Sequence, residues 1–546
     1  MTLKPASLLF ALAFGLAACG GQSGTQSPAA SGAAAPAAAK PAGKDNVVID
    51  NGAEPESLDP HKSGESASFA IIRQMLMGLV AADAQGNTVP GVAEKWESSD
   101  NKVWTFHLRD AKWANGDPVT AEDFVYSLRR LTDPATASPY GSYLGDAKVE
   151  NAAAIAEGKA KPDTLGVKAL DAKTLQFTLT EAVPYFPDML LLPATYAVHK
   201  ATVEKHGEKW TLPENYMPNA AYKLKEWTVN SQIVLERNNA YYDNAKTNIN
   251  NIVFLPITDA AVGYNRYLAD EVDLVPVPPE QFQKVKAERS SEMYSNTNLC
   301  TFYYEPNLKN PIFADAKVRK ALSLTLDRET IAGKVMGRGE TPSYQFTPPS
   351  TQGMGEVAVS WKSWDAAKRT EEAKKLLTEA GYSESKPLKF EILYNTSDVG
   401  KKLVSAGASM WKTALGNLVD VKMINQEWKT SLETRRNGKF EIALAGWCAD
   451  YNEPSSFLNM LRANNTNNTG KYIKPEFEAL LDKTLSAPDA ESRKKLYHEA
   501  ETMLENDAGI IPVYNRVSVM LVKPHIGNFT NQDPMSNWLV KDWKLN

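Results

Sequence analysis

The chain has 546 residues, of which 43% are hydrophobic and 23% charged, with a net charge of -5. That length is several times a typical domain and predicts two or three lobes around separate cores. The composition is that of an ordinary globular protein, and the mild acidity excludes the basic stripe that nucleic-acid binders carry.

The first residues read as an export signal. Lys4 gives a thin positive start, Ser7 to Leu16 (SLLFALAFGL) is apolar, and Leu16-Ala17-Ala18-Cys19 follows. The apolar run falls well short of the ~20 residues that span a bilayer, which predicts a signal peptide over 1–18. A Cys directly after small residues is similar to a bacterial lipobox, and that implies acylation of Cys19 and a membrane anchor; the bland alternative is a secreted chain with a chance Cys. The stretch 19–44 then reads as a lipidated Cys and a flexible Ala/Gly/Ser/Pro tether, too polar and simple to bury a core. No later segment is long and apolar enough to span a membrane. With Cys19 set aside, Cys300 and Cys448 remain as an even pair in an oxidising compartment, either bridged or two buried thiols.

Along the chain, Val47 to Asn51 predicts a first strand and Phe69 to Leu79 a helix. Val103 to Arg109 alternates, so Trp104, Phe106 and Leu108 are expected on one face of a strand. Asn115-Gly116-Asp117-Pro118 marks a turn. Thr120 and Asp123 form a capping signal for a helix through Phe124 and Leu128. Strands are expected at Thr174 to Leu179, Ile233 to Glu236, Ile252 to Leu255, Leu388 to Tyr394, Asp420 to Asn425 and Ile510 to Tyr514. Helices are expected at Ala316 to Leu326, at Ala366 to Ala380 with Gly381 as its stop, and at Ala490 to Asn506. The mixture predicts α/β or α+β lobes.

Catalytic patterns are missing from the sequence. His61, His107, His199, His206, His498 and His525 are scattered, with no metal-ligand spacing. There is no GxSxG, GxxxxGK[ST] or GxGxxG. The expectation is a binding protein rather than an enzyme, with no cofactor and no metal. The 12 Trp and 21 Tyr supply the flat amphipathic rings that line ligand clefts as well as cores.

Six stretches carry a family resemblance in order along the chain: Glu56 to Lys62 (ESLDPHK), Gly91 to Trp96 (GVAEKW), Val103 to Arg109 (VWTFHLR), Pro118 to Ser127 (PVTAEDFVYS), Glu371 to Tyr382 (EEAKKLLTEAGY) and Gly446 to Pro454 (GWCADYNEP). Through them the chain resembles the extracytoplasmic oligopeptide-binding proteins of ABC peptide permeases, from about Asn46 to Asp542. The resemblance implies a mixed α/β, three-lobed clamp: lobe I from 45–76, 200–299 and 517–546; an inserted lobe II, 77–199; and lobe III, 300–516. It implies a monomer that closes on an oligopeptide and docks on a membrane-embedded permease. It also implies a Cys300–Cys448 disulfide, and Asp450 as the partner of the ligand's α-amino group. Gly446 and Cys448 would offer backbone groups, with Tyr140, Tyr267, Trp428, Trp447 and Tyr514 as aromatic positions around the cleft.

The chain departs from the family where basic residues meet a peptide's carboxylate. Those positions read Met336, Gly400 and Leu444, none able to carry charge. Arg435 is kept, with Arg436 beside it; Arg516 stands where an aromatic is expected, and Arg338, close to Met336 in sequence, is a further cation expected to reach in. The expectation is a ligand held by its amino end at Asp450, its acidic end read by Arg435 or Arg516. A murein-peptide receptor is the alternative within binding proteins, and a peptide hydrolase or chaperone the alternative from another class.

Overall fold

A computed structural model describes residues 46–546. The expected signal peptide, Cys19 and the tether lie outside the described residues. Among the described residues no helix is long and apolar enough to cross a membrane.

One mixed sheet of eleven strands organises the chain. Its order is Val419–Gln426, Leu388–Asn395, Ile442–Cys448, Met293–Pro306, Ile511–Val522, Leu274–Pro276, Asn46–Asp50, Asn251–Leu255, Gln232–Arg237 and Tyr222–Thr228, with Thr341–Pro342 pairing to the side of Ile511–Val522. Two strands run through both halves of this sheet: Met293–Pro306 with 14 residues and Ile511–Val522 with 12. Their outer pairs, Met293 to Thr297 with Leu521 to Val517, belong to one half. Their inner pairs, Thr301 to Tyr304 with Asn515 to Ile511, belong to the other. Between Thr297–Val517 and Thr301–Asn515 the register breaks, so Asn298, Leu299 and Cys300 stand opposite Arg516 alone. Extra residues on one strand bend and twist a ladder locally, and the bend falls where the two halves join.

A separate four-stranded sheet holds Ala93–Glu97, Val103–Leu108, Thr174–Thr178 and Val167–Asp171 in that order. The alternation in Val103–Leu108 does what the sequence predicts: Trp104, Phe106 and Leu108 are buried, and Phe106 meets Phe177 edge-on at 5.6 Å. Thr120 caps the helix Ala121–Thr132 in a reciprocal box with Asp123.

Several boundaries differ from expectation for local reasons. The first helix runs Ser66–Met75, because Glu65 caps it by accepting from the Ala67 and Ser68 N–H groups. A strand expected to end at Tyr514 continues to Val522. The strand Met293–Pro306 begins in the polar run Tyr-Ser-Asn-Thr-Asn, which carries no hydrophobic alternation. The helix Ala490–Asn506 is as expected. Gly381 follows the helix Ala366–Glu379 at φ +86°, a backbone that favours glycine.

Candidate functional site

The strand Ile442–Cys448 presents an open edge. It runs antiparallel to Met293–Pro306 with Cys448 opposite Cys300 and Gly446 opposite Phe302. Just beyond the strand, the Ala449 N–H donates to the Leu299 carbonyl at 2.8 Å. In an antiparallel ladder hydrogen-bonded and non-hydrogen-bonded pairs alternate. Trp447–Thr301 is therefore hydrogen-bonded, while Cys448–Cys300 and Gly446–Phe302 are not. The Cα atoms of Cys300 and Cys448, joined by a disulfide, lie 4.0 Å apart, as the closer pair type requires. The N–H and C=O groups of Gly446 and Cys448 thus point the other way. On that side Leu388–Asn395 pairs only with Ile442 and Ala443, so among the described residues no strand covers Gly446 or Cys448. Gly446 is exposed.

Asp450 stands at the end of this edge. Its N–H is fixed on the Ser456 hydroxyl at 2.8 Å, and the Tyr140 hydroxyl donates to its carboxylate at 3.1 Å. The Trp447 ring tilts against Tyr140 at 6.5 Å, and its indole N–H donates to the Ser456 carbonyl. Burial pushes the Asp450 carboxyl up to about 7, against the opposing pull of the Tyr140 hydroxyl and the Arg73 charge. A small cavity of about 20 Å³, lined by Tyr140, Trp447, Asp450 and Asp146 among others, opens beside it. Asp146 is held by Asn465 at 2.8 Å, and burial also lifts it to about 7 against the charge of Arg462. The result is a desolvated carboxylate with one hydroxyl donor, at the end of an unpaired strand edge, with aromatic walls. That arrangement can hold an ammonium group and an extended backbone.

The other residues singled out in the sequence divide. Tyr140, Gly446, Trp447, Cys448 and Asp450 come together. Tyr267 does not: it is packed in a core with Val272 and Phe282, its hydroxyl donates to Glu292 at 2.5 Å, and Lys523 lies over its ring at 4.2 Å. Tyr514 lies flat against Phe302, rings 5.0 Å apart and 4° from parallel. Trp428 opens the helix Trp428–Arg436, and its buried indole N–H finds no acceptor among the described residues. Met336 and Leu444 belong to the apolar core with Tyr514, and Gly400 lies in the first turn of the helix Asp398–Leu415, its N–H on the Ser397 hydroxyl at 3.0 Å.

Arg435 is paired within the protein. Its Nε and Nη2 both donate to Glu305 Oε2, at 3.1 and 2.8 Å, and the two side chains are 15% and 2% exposed. The other Glu305 oxygen accepts from the Thr469 hydroxyl at 2.8 Å and the Gly470 N–H at 2.9 Å. This guanidinium is thus already neutralised inside the protein by a carboxylate of its own chain. Asp146, Ser456 and Asn465, absent from the sequence reading, join the site through folding; none sits in a recognisable pattern.

Ion pairs and hydrogen bonds cross between parts of the chain on either side of the edge. Arg436 grips Glu56 with both terminal nitrogens, Nη2 at 3.1 Å from Oε2. Lys402 meets Glu280, Arg338 donates to the Val277 carbonyl at 3.1 Å, and Asn467 donates to the Pro139 carbonyl at 3.1 Å.

Comparison with known proteins places this arrangement. The model of the bacterial extracellular solute-binding proteins, family 5 Middle, matches residues 87–469. The chain is 50% identical over 504 residues to the periplasmic oligopeptide-binding protein OppA of Salmonella typhimurium, covering 92% of each chain. Among solved structures it is similar to Haemophilus influenzae OppA in complex with RPPGFSPFR, at 44% identity and TM-score 0.90 over 92% of this chain and 99% of that one. Against MppA, a periplasmic murein tripeptide binding protein in an unliganded open form, identity is 40% over 92% and 97% of the two chains, but the TM-score is 0.64. The overall arrangement of the chain is thus nearer to that of a peptide-complexed relative than to that of an open one. With a mixed α/β clamp, a family model over most of its length and relatives near half identity, this chain belongs to the bacterial extracellular solute-binding proteins, family 5.

Proposed function

We propose that this protein captures oligopeptides outside the cytoplasm and delivers them to the membrane-embedded permease of an ABC importer. The open edge at Gly446 and Cys448, ending on Asp450, carries the reading. A peptide lying along it as an added strand satisfies its own backbone with protein backbone, which leaves side chains free to vary. Its ammonium group meets Asp450 in a charge-assisted hydrogen bond worth about 1.5–3 kcal/mol. The names of the relatives, all binding proteins, favour capture over turnover, and the greater identity to OppA than to MppA favours general oligopeptides over murein tripeptide. The clamp would comprise lobe I (45–76, 200–299 and 517–546), lobe II (77–199) and lobe III (300–516), hinged at the register break in the two long strands. Acylation at Cys19 would tether this body, as a monomer, to the membrane.

Native mass spectrometry of protein purified without denaturation tests the reading, with sequencing of any released ligand. Intact short peptides, returned unchanged, are expected. Protein that is empty and shows no thermal shift with a peptide library would sink it.

The closed arrangement is held partly by the Arg436–Glu56 pair, whose side chains are 28% and 11% exposed. Glu56→Gln removes that charge without changing shape. Peptide release is expected to accelerate about threefold to tenfold with little change in association, as for a partly buried pair, and the difference should shrink at high salt. Stopped-flow release at low and high salt checks this; an unchanged release rate would show that closure does not lean on the pair.

A further inference from the structure

Beside the open edge, the protein carries more positive charge than it neutralises. Arg338 and Arg516 both lie near Glu340, and Arg338 takes it; Glu280, also near Arg338, is paired with Lys402. The Arg338 Nε and Nη2 lie 2.7 and 2.6 Å from Glu340 Oε1, and the Arg338 N–H donates to Oε2 at 2.8 Å. The Arg516 side chain makes no hydrogen bond or ion pair to any described residue. It is partly buried, and loss of water, then the charge of Arg338, hold its guanidinium below the usual range, against Tyr514 and Glu340. A cation in that condition is costly unless an anion joins it.

Position gives the anion its source. Arg516 is the residue that stands alone opposite Asn298, Leu299 and Cys300 at the register break. It follows Tyr514 by two positions, so both side chains leave the same face of the strand. Tyr514 is stacked on Phe302, and the Phe302 ring is what a side chain on Gly446 would meet, at 3.4 Å. Arg516 therefore shares the sheet face that borders the open edge. The strand of Arg516 and the strand leading to Asp450 are separated by one strand, which sets their backbones roughly 10 Å apart. A peptide paired to the open edge lies on the far side of that strand and runs along it, so Arg516 meets only a group that leans back over this face of the sheet.

We propose that Arg516 reads a carboxylate of the bound peptide, within the first few residues after the amino group held at Asp450. This rests on the peptide-capture reading. The planar guanidinium fork suits a carboxylate bidentately. Two sources share this chemistry: the terminal carboxylate of a short peptide, or an acidic side chain near the amino end.

Calorimetric titration of the purified full chain with tri-alanine, tri-alanine amide and Ala-Glu-Ala amide separates them. The unaltered protein is expected to bind tri-alanine about tenfold or more tightly than its amide, the scale of one charge-assisted hydrogen bond. A terminal carboxylate alone as the source leaves Ala-Glu-Ala amide as weak as tri-alanine amide; recovery by Ala-Glu-Ala amide identifies the side chain as a second source. Arg516→Met should abolish every such preference while the amide binds as before, and Arg516→Lys should keep part of it. Acid and amide bound alike by the unaltered protein would overturn the proposal whether or not the variants fold, and so would a preference that survives in Arg516→Met. In both cases peptide capture stands. Binding of none of the three peptides would instead overturn peptide capture and this inference together.

Discussion

Replacing Asp450 with Asn is expected to weaken binding of a free-amino peptide about tenfold to a hundredfold, and to abolish the acid side of its pH dependence. The magnitude is that of one hydrogen bond between charged groups. The pH dependence follows from burial, which pushes this carboxyl up to about 7 in the closed arrangement. Below that pH the group is protonated and must lose its proton before it can pair with an ammonium group, so affinity falls as pH drops from 7 towards 5. Above about 8 the peptide's own α-amino group loses its charge. Affinity should peak between the two. The neighbouring charges are Arg73 and, in the same cavity, Asp146, also at about 7; Asp146→Asn is the control that separates the two carboxyls.

The same shift makes an opposite statement about stability. A raised carboxyl is neutral in the fold and ionised in the unfolded chain between about pH 4 and 7. This burial costs nothing below pH 4, increasingly more from 4 to 7, and its full amount above 7. Asp450→Asn should therefore raise the unliganded melting temperature at pH 8 and leave it unchanged at pH 4. Calorimetric affinities from pH 5 to 9 and melts at both limits check the pair of statements. A variant that binds peptide as tightly as the parent at pH 7.5 would remove Asp450 from the site.

What the sequence exposes is what lies contiguously along it. Asp450, Trp447, Cys448 and Gly446 sit within nine residues, and that run is sufficient to bring them out. The openness of the edge is not written there. It depends on Leu388–Asn395 stopping its pairing at Ala443, a matter of where two strands diverge. Tyr140 reaches Asp450 across 310 residues of sequence, and only the resemblance suggests it. Tyr267 shows the limit of transferring aromatics by type: a tyrosine is as much at home in a core, hydroxyl on Glu292, as in a cleft. The strand Met293–Pro306 escapes alternation because its first part, Met293 to Thr297, is held by pairing with Leu521 to Val517, so pairing rather than periodicity sets the conformation.

Arg435 is the clearest case of a charge whose role reverses on folding, and it carries the largest expected loss of stability. Nothing in Glu-Thr-Arg-Arg-Asn-Gly shows that the first arginine meets Glu305, 130 residues away. Once both are buried, removing either partner leaves the other charge desolvated, at about 3–5 kcal/mol. Glu305→Gln should be the worse of the two, because it strands the guanidinium and also weakens the bonds from Thr469 and Gly470. Arg435→Met leaves Glu305 with those donors and should cost less. Combining Glu305→Gln with Arg435→Met removes the unpaired charge, so the double variant should be more stable than Glu305→Gln. Urea melts of the four proteins measure the coupling. Peptide affinity measured on folded Arg435→Met should stay near the parent's, since this side chain is already paired with a protein carboxylate. A variant of full stability that had lost its affinity for acid-ended peptides would return Arg435 to the binding site and make the Glu305 pair an arrangement that the ligand displaces.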